Sequence, residues 1–248
     1  MSDGEFAGQV AVVTGGAQGI GFAISRLLSE RGATVCLLDI DKSKIDEAVA
    51  KLSKGGGKAK GYEADVTKEP TLQRARDAIL MDWTRADVLV NNAGIYPHAT
   101  IKEITIEAWD KMFDVNTLGM FLTTRTFMEP MIAQRYGRIV SIITNDAYIA
   151  KPTLPHYAAA KASVLSLTKT FALELAPHQV LVNGVSPGAV ATERAKSQSW
   201  LKERIPLIPV RRAAEPEDIA EVVLFLASKR NRFVVGETVI ANGGYTMV

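Results

Sequence analysis

Between Gln9 and Leu38 the chain spells out a strand, a glycine-rich turn, a helix and a second strand. Gln9 to Val13 is short and β-branched, the pattern of a strand buried on both faces. Ile20, Ile24, Leu27 and Leu28 then recur at helical spacing, and Gly32 closes that helix before the strand Thr34 to Leu38 begins. Two strands joined through a helix pair in parallel with a right-handed crossover, so the opening already points to an open, doubly wound sheet.

The rest of the chain continues that scheme. Lys58 to Tyr62, Val88 to Val90, Arg138 to Ile143, Val180 to Val185 and Thr238 to Ile240 read as further strands, with helical patterns filling most of the gaps. The expectation is an α/β, Rossmann-type sheet of about seven mostly parallel strands with helices on both faces. No linker or repeat divides residues 1–248, and Gly55 to Gly57 reads as a tight turn, so one domain is expected. With 47% hydrophobic and 23% charged residues the chain can bury a sizeable core.

Charge excludes some functions. A formal net charge of +2 gives no footprint for nucleic acid or an anionic membrane. The basic residues from Arg194 to Arg212 are interrupted or flanked by Glu193, Glu203 and Glu215, as in a solvated loop. No stretch approaches the ~18 apolar residues needed to span a bilayer. Met1 to Gly8 lacks the pattern of a signal peptide. The lone Cys36, in an apolar run, reads as a buried inert thiol, and a reducing, cytoplasmic setting is expected. The three histidines lack ligand spacing, so no metal is expected.

Thr14-Gly15-Gly16-Ala17-Gln18-Gly19-Ile20-Gly21 lies between a strand and a helix, where glycines let the backbone approach a pyrophosphate and the helix points free N–H groups at it. Asp39 follows 18 residues beyond Gly21, at the end of the second strand. A carboxylate there can accept hydrogen bonds from ribose hydroxyls and repels a 2′-phosphate, and neither Gln18 nor Ile40 offers a compensating charge. NAD is therefore the expected cofactor, although Asp39 could instead cap the next helix. Tyr157 and Lys161 stand four apart on one helical face, where an ammonium would favour the phenolate and suit it to general acid–base work. An ordinary surface pair is the alternative. Asn116 falls on the apolar stripe Trp109, Met112, Phe113 and Met120 of a long helix, where a polar side chain needs a partner.

Taken in order, Thr14 to Gly21, Asn91-Asn92-Ala93-Gly94, Tyr157 to Lys161 and Pro187-Gly188 resemble the T-G-x-x-x-G-x-G, N-N-A-G, Y-x-x-x-K and P-G segments of the short-chain dehydrogenase/reductase family, over essentially the whole chain. The resemblance implies cofactor contacts at Gly15, Gln18, Gly19, Ile20, Gly21, Asp39, Ile40, Asn92, Ala93, Gly94, Pro187, Gly188, Val190 and Thr192, besides Tyr157 and Lys161. It implies another at Asp65 and Val66, although Asp65 could equally cap a helix near Pro70. It implies that Asn91 ties adjacent strands and that Asn116 helps hold a water reaching Lys161.

The family's serine, 13 residues before the tyrosine, is Thr144 here, which keeps the hydroxyl and adds a methyl. Ser141, three residues earlier in a strand, should face the other way.

A substrate pocket is expected beyond the strand ends, walled by Tyr96, His98, Thr144, Asp146, Tyr148, His156 and Trp200, under a lid over 189–212. The expected activity is hydride transfer between NAD(H) and a small or medium secondary alcohol or ketone, with Asn116, Thr144, Tyr157 and Lys161 catalytic. The alternatives are a 3-oxoacyl-carrier-protein reductase, in which Arg135 might meet the carrier, or a non-catalytic dinucleotide binder. Small residues Ala158 to Ser163 and the apolar tail Tyr245 to Val248 suit subunit contacts, and the resemblance implies a homotetramer.

Overall fold

The structure, a computed structural model, describes residues 4–248. The first half runs β1 (Val10–Thr14), α1 (Gly19–Glu30), β2 (Thr34–Asp39), α2 (Lys42–Lys54), β3 (Lys58–Glu63), α3 (Glu69–Trp83) and β4 (Val88–Asn91). Next come α4 (Ile106–Phe113) and α5 (Gly119–Ala133), then β5 (Gly137–Ile142), α6 (Pro155–Leu175) and β6 (Val180–Pro187). Short helices α7 (Glu193–Lys196) and α8 (Ser199–Arg204), then α9 (Pro216–Ala227) and β7 (Thr238–Ala241), complete the chain. All seven strands form one sheet in the order β3-β2-β1-β4-β5-β6-β7, and every neighbouring pair is parallel.

Alternation along the strands divides the core between the two faces. Val13, Leu37, Val140 and Ile142 pack with Ile24 and Leu28 of α1 and Val223 and Leu224 of α9. Val12, Leu38, Ile139 and Val182 pack instead with Ile79 of α3, Phe127 of α5 and Phe171 of α6. Cys36 belongs to the second face, and burial pushes its thiol up to about 12, so it stays protonated and inert. The strand β3 exposes Lys58, Lys60 and Glu63, as suits an edge.

The chain builds outward from β1 to β3 and then crosses back to place β4 on β1's other side, which makes β1 and β4 the switch point of the sheet. Ligand crevices in such sheets open at this point, beyond the carboxyl ends of the strands.

The long helix expected around Asn116 is broken. Asp114–Leu118 forms a π-helical turn between α4 and α5. Met112, Asn116 and Met120 are buried, while Trp109 is 41% exposed and stacks on Phe113. Among the described residues, no helix is long and apolar enough to cross a membrane, and no group of three or more His, Cys, Asp or Glu is placed to hold a metal ion.

Candidate active site

The glycine turn is held by the segment after β4. Thr14 Oγ1 accepts hydrogen bonds from Asn92 N at 3.0 Å and Ala93 N at 3.1 Å, and donates to Val90 O at 3.3 Å. The Asn92 amide donates to Thr14 O and Gly15 O, both at 3.0 Å. A Cβ on Gly21 would overlap the Gly15 carbonyl and lie 2.5 Å from Asn92 Nδ2, so only glycine lets α1 start this close to the turn. Gly15 and Gly19 take positive φ of 59° and 54°, which a side chain would strain. Helix α1 has no side-chain cap at Gln18 and no acidic residue in its first turn, so its positive end faces outward uncompensated.

A groove of about 690 Å³ runs from this turn past Asn92, Ala93 and Gly94 to Asn116, Tyr157, Lys161 and Thr192. Gln18, Gly19 and Ile20 line it as well, while Gly21 is buried beneath them. Asp39 ends β2, and its carboxylate accepts only from Asp41 N, at 3.2 Å. The cap of α2 is Asp41, which accepts from Lys44 N, so the reading of Asp39 as a helix cap is set aside. Ile40 beside it is exposed.

The Asp65 carboxylate accepts from Thr67 N at 2.9 Å and Thr67 Oγ1 at 2.7 Å. It closes a turn before α3, whose cap position is Lys68. Asp65 is thus neither the helix cap nor unpartnered. Val66 packs at the start of α5, where a Cβ on Gly119 would come 2.7 Å from its Cγ2.

Asn91 donates to Thr124 Oγ1 at 2.9 Å and Ser141 Oγ at 3.4 Å, tying β4 to α5 and β5 as its structural reading required. That interior bond fixes Ser141 away from the cleft. Thr144, 8% exposed, is instead brought to the cavity wall beside Tyr157.

Lys161 is 4% exposed and donates from Nζ to Ile142 O at 2.8 Å. Asn116 donates to Ile95 O at 2.9 Å and Met112 O at 3.0 Å, whereas its buried Oδ1 has no partner. A Cβ on Gly94 would sit 2.7 Å from that oxygen and 3.7 Å from Lys161 Nζ, so Gly94 keeps open the space the two share. An orphaned buried oxygen, an uncapped helix end and a floor of glycines that exclude any Cβ all fit a bound dinucleotide with sugar and phosphate groups to satisfy.

One electrostatic expectation is corrected. Burial and the nearby Asp146 charge push the Tyr157 phenol up, and the Thr144 hydroxyl only partly draws it back. Burial also lowers the Lys161 ammonium to about 8. Desolvation outweighs any pull of the lysine on the phenol.

A second cavity of about 360 Å³ adjoins the groove, and Tyr96, Tyr157, Ile20 and Thr192 line both. His98, Thr144, Asp146 and Trp200 wall it, and so do Pro187, Gly188 and Val190, which the resemblance gave as cofactor contacts. Two expected wall residues are absent. Tyr148 turns its phenol toward Thr238 and Glu237 by β7, because the 3₁₀ turn Asn145–Ala147 carries the chain away from the cleft. His156 is fully buried with both ring nitrogens unpartnered, since the start of α6 turns it inward while Tyr157 faces out.

Sequence reasoning missed Lys151, Thr153 and Leu154 at this wall. The one available signal was Pro152, which marks a loop between the β5 exit and α6. The segment from Ala189 folds as α7 and α8 over a small cluster of Ala191, Ala195, Leu201 and Ala213.

Residues 15–246 match a family model described as enoyl-(acyl carrier protein) reductase. The chain belongs to the short-chain dehydrogenase/reductase family, and it is an oxidoreductase of that family. A cyclopentanol dehydrogenase of Comamonas testosteroni is 38% identical over 96% of this chain and 97% of its own length. A 3-oxoacyl-acyl-carrier-protein reductase of Thermotoga maritima is 36% identical over 96% of this chain and 97% of its own. An NAD-dependent glycerol dehydrogenase of Listeria innocua is 35% identical over 96% of this chain and 94% of its own. Among solved structures, a short-chain dehydrogenase/reductase from Mycobacterium marinum superposes with a TM-score of 0.94 at 31% identity, covering 97% of this chain and 96% of that one. The seven-stranded fold is therefore the family's own.

Proposed function

We propose that this chain is an NAD-dependent dehydrogenase or ketone reductase for a small or medium secondary alcohol or ketone. One observation carries the reading: Tyr157 lines both the glycine-floored groove and the adjoining cavity, with Thr144 on the same cavity wall. The groove residues Gly15, Gly19, Asn92, Gly94 and Lys161 would hold NAD, which would supply the hydride acceptor or donor.

The chain's own residues do the rest. Thr144 holds the substrate oxygen by its hydroxyl, and Tyr157 exchanges the proton with that oxygen. Because its surroundings hold the phenol protonated near neutral pH, Tyr157 stands ready as the acid for ketone reduction. In the oxidising direction Lys161 stabilises the phenolate as it forms, and Asn116 Oδ1 offers the acceptor for a water that links the lysine outward. Asp39 selects NAD by accepting from the ribose hydroxyls, a reading supported by its freedom from capping α2. The segment 189–212 serves as the lid. The small residues Ala158 to Ser163 on α6 suit close subunit packing in a homotetramer, to be checked by sedimentation.

The relatives named as acyl-carrier-protein reductases favour a second reading, reduction of a carrier-bound 3-oxoacyl group. The two separate in one experiment: turnover of a panel of free alcohols and ketones and of a 3-oxoacyl thioester, with each nicotinamide cofactor. Oxidation of free alcohols with NAD, lost by 10³-fold or more in Tyr157→Phe while cofactor still binds, is the expected result. Full activity of Tyr157→Phe would overturn the mechanism.

A further inference from the structure

The cavity beside Tyr157 is walled largely by apolar side chains, among them Ile143, Leu154, Val190 and Trp200. Two cations nevertheless reach it. Lys151 comes from the loop before α6 and Arg204 is the last residue of α8. Among the described residues neither has a carboxylate oxygen within 4.0 Å, and neither side chain makes a hydrogen bond. Arg204 is held with its guanidinium over the Tyr245 ring, 4.6 Å from the centroid. Asp146 is the one carboxylate in the lining.

The arrangement costs stability as it stands. Lys151 is half-buried, and both burial and the charge of Arg204 disfavour its ammonium, with Asp146 acting in the opposite sense. Converging like charges in a partly desolvated space are stable only when something else compensates them. A single carboxylate shared between two cations leaves the lining with an excess positive charge. A ligand anion would remove it and gain charge-assisted hydrogen bonds from both donors.

We propose that the substrate carries a carboxylate, held between Lys151 and Arg204, while its carbinol or carbonyl carbon sits against Tyr157 and Thr144. The substrate class is then a short hydroxy acid or its oxo acid, with an aliphatic or small aromatic body fitting about 360 Å³. Since Arg204 stands on the 189–212 segment and Lys151 on the loop before α6, the carboxylate bridges the two. This deepens the dehydrogenase reading and rests on it for the position of the reacting carbon.

The test uses 4-oxopentanoate and its methyl ester on the full chain, with and without NADH. The acid should be reduced with kcat/KM at least tenfold above the ester. Lys151→Met should remove that preference mainly through a rise in KM for the acid at least tenfold greater than any change for the ester, and Lys151→Arg should restore part of it. Thermal melting in the presence of NADH gives a second readout, with a saturable rise in Tm for the acid, absent for the ester and lost in Lys151→Met.

Equal handling of acid and ester, or equal losses on both in Lys151→Met, overturns the anion site and leaves the dehydrogenase reading intact. No turnover of any alcohol or ketone, together with a Lys151-dependent Tm rise, supports the anion site and sinks the reading of the reaction. Absence of that rise in a folded wild-type protein overturns the proposal whatever the turnover.

Discussion

Thr144→Val tests the site at its least conventional point, since it removes one hydroxyl and preserves shape. In the structure that hydroxyl has two contacts within the protein. It accepts from Asp146 N at 3.3 Å, and it lies beside the Tyr157 phenol. Loss of the first leaves one backbone N–H short of a partner at a part-buried site, worth about 1 kcal/mol, or about 2–4 °C in Tm for a chain of this size.

The larger effect should be on turnover. A donor aimed at an oxygen that gains charge in the transition state is worth about 10²–10³ in kcat. Thr144→Val should therefore fold, bind NADH as tightly as the parent, and lose two to three orders of magnitude in kcat. Thr144→Ser should stay within about tenfold, because it keeps the donor and gives up only a methyl and its χ1 restriction. The assay is cofactor absorbance during turnover, paired with NADH fluorescence titration and a melting curve. A Thr144→Val protein within threefold of the parent would show that the hydroxyl is a turn-former and nothing more.

Gly21→Ala should fail by overlap with the Gly15 carbonyl, costing about 1–3 kcal/mol and weakening NADH binding, as melting and fluorescence titration would show. Gly19→Ala has space, with Thr192 Cγ2 at 3.6 Å, and should cost only the about 1–2 kcal/mol of its positive φ. Asp146→Asn removes a negative charge that disfavours the phenolate, so the limb of the kcat/KM profile on which alcohol oxidation rises with pH should move to lower pH. A limb unmoved in that variant would show that Asp146 does not reach Tyr157.

Much of this arrangement was legible because it is local. The β1–α1–β2 unit is fixed by period and glycine placement over thirty-odd residues, and each strand end lies within two residues of its expected position. Ser141 was readable for the same reason, since strand alternation turns it away from the cleft, whereas the Asn91 tie was implied by the family resemblance. Tyr148 and His156 were not legible. Both sit where regular structure is interrupted, by the 3₁₀ turn after Thr144 and by the first turn of α6, and a rotation of one residue there exchanges the cleft for the core. Lys151 was missed because a loop lysine carries no periodic signal, and only the arrival of α8 from fifty residues away makes its surroundings partly dry.

The π-helical turn at Asp114–Leu118 carries Asn116 on the buried side of the helix. In an unbroken α-helix the face shared by Trp109, Met112 and Phe113 would carry a purely apolar stripe into the core, and a polar side chain on it would be a defect. Asn116 stands opposite Gly94, where an added Cβ would come 2.7 Å from its Oδ1. Its amide nitrogen is satisfied by Ile95 O and Met112 O, and its oxygen is left facing the space beside Lys161. The same space requires residue 94 to lack a Cβ and places the lysine where burial brings its ammonium down to about 8. Three local irregularities thus converge on one volume: a π turn, a glycine and a buried lysine. A core selected for packing alone would remove each of them, since buried polar atoms without partners are costly. Their coincidence at the switch point of the sheet, beside Tyr157, is what the proposed proton path would use.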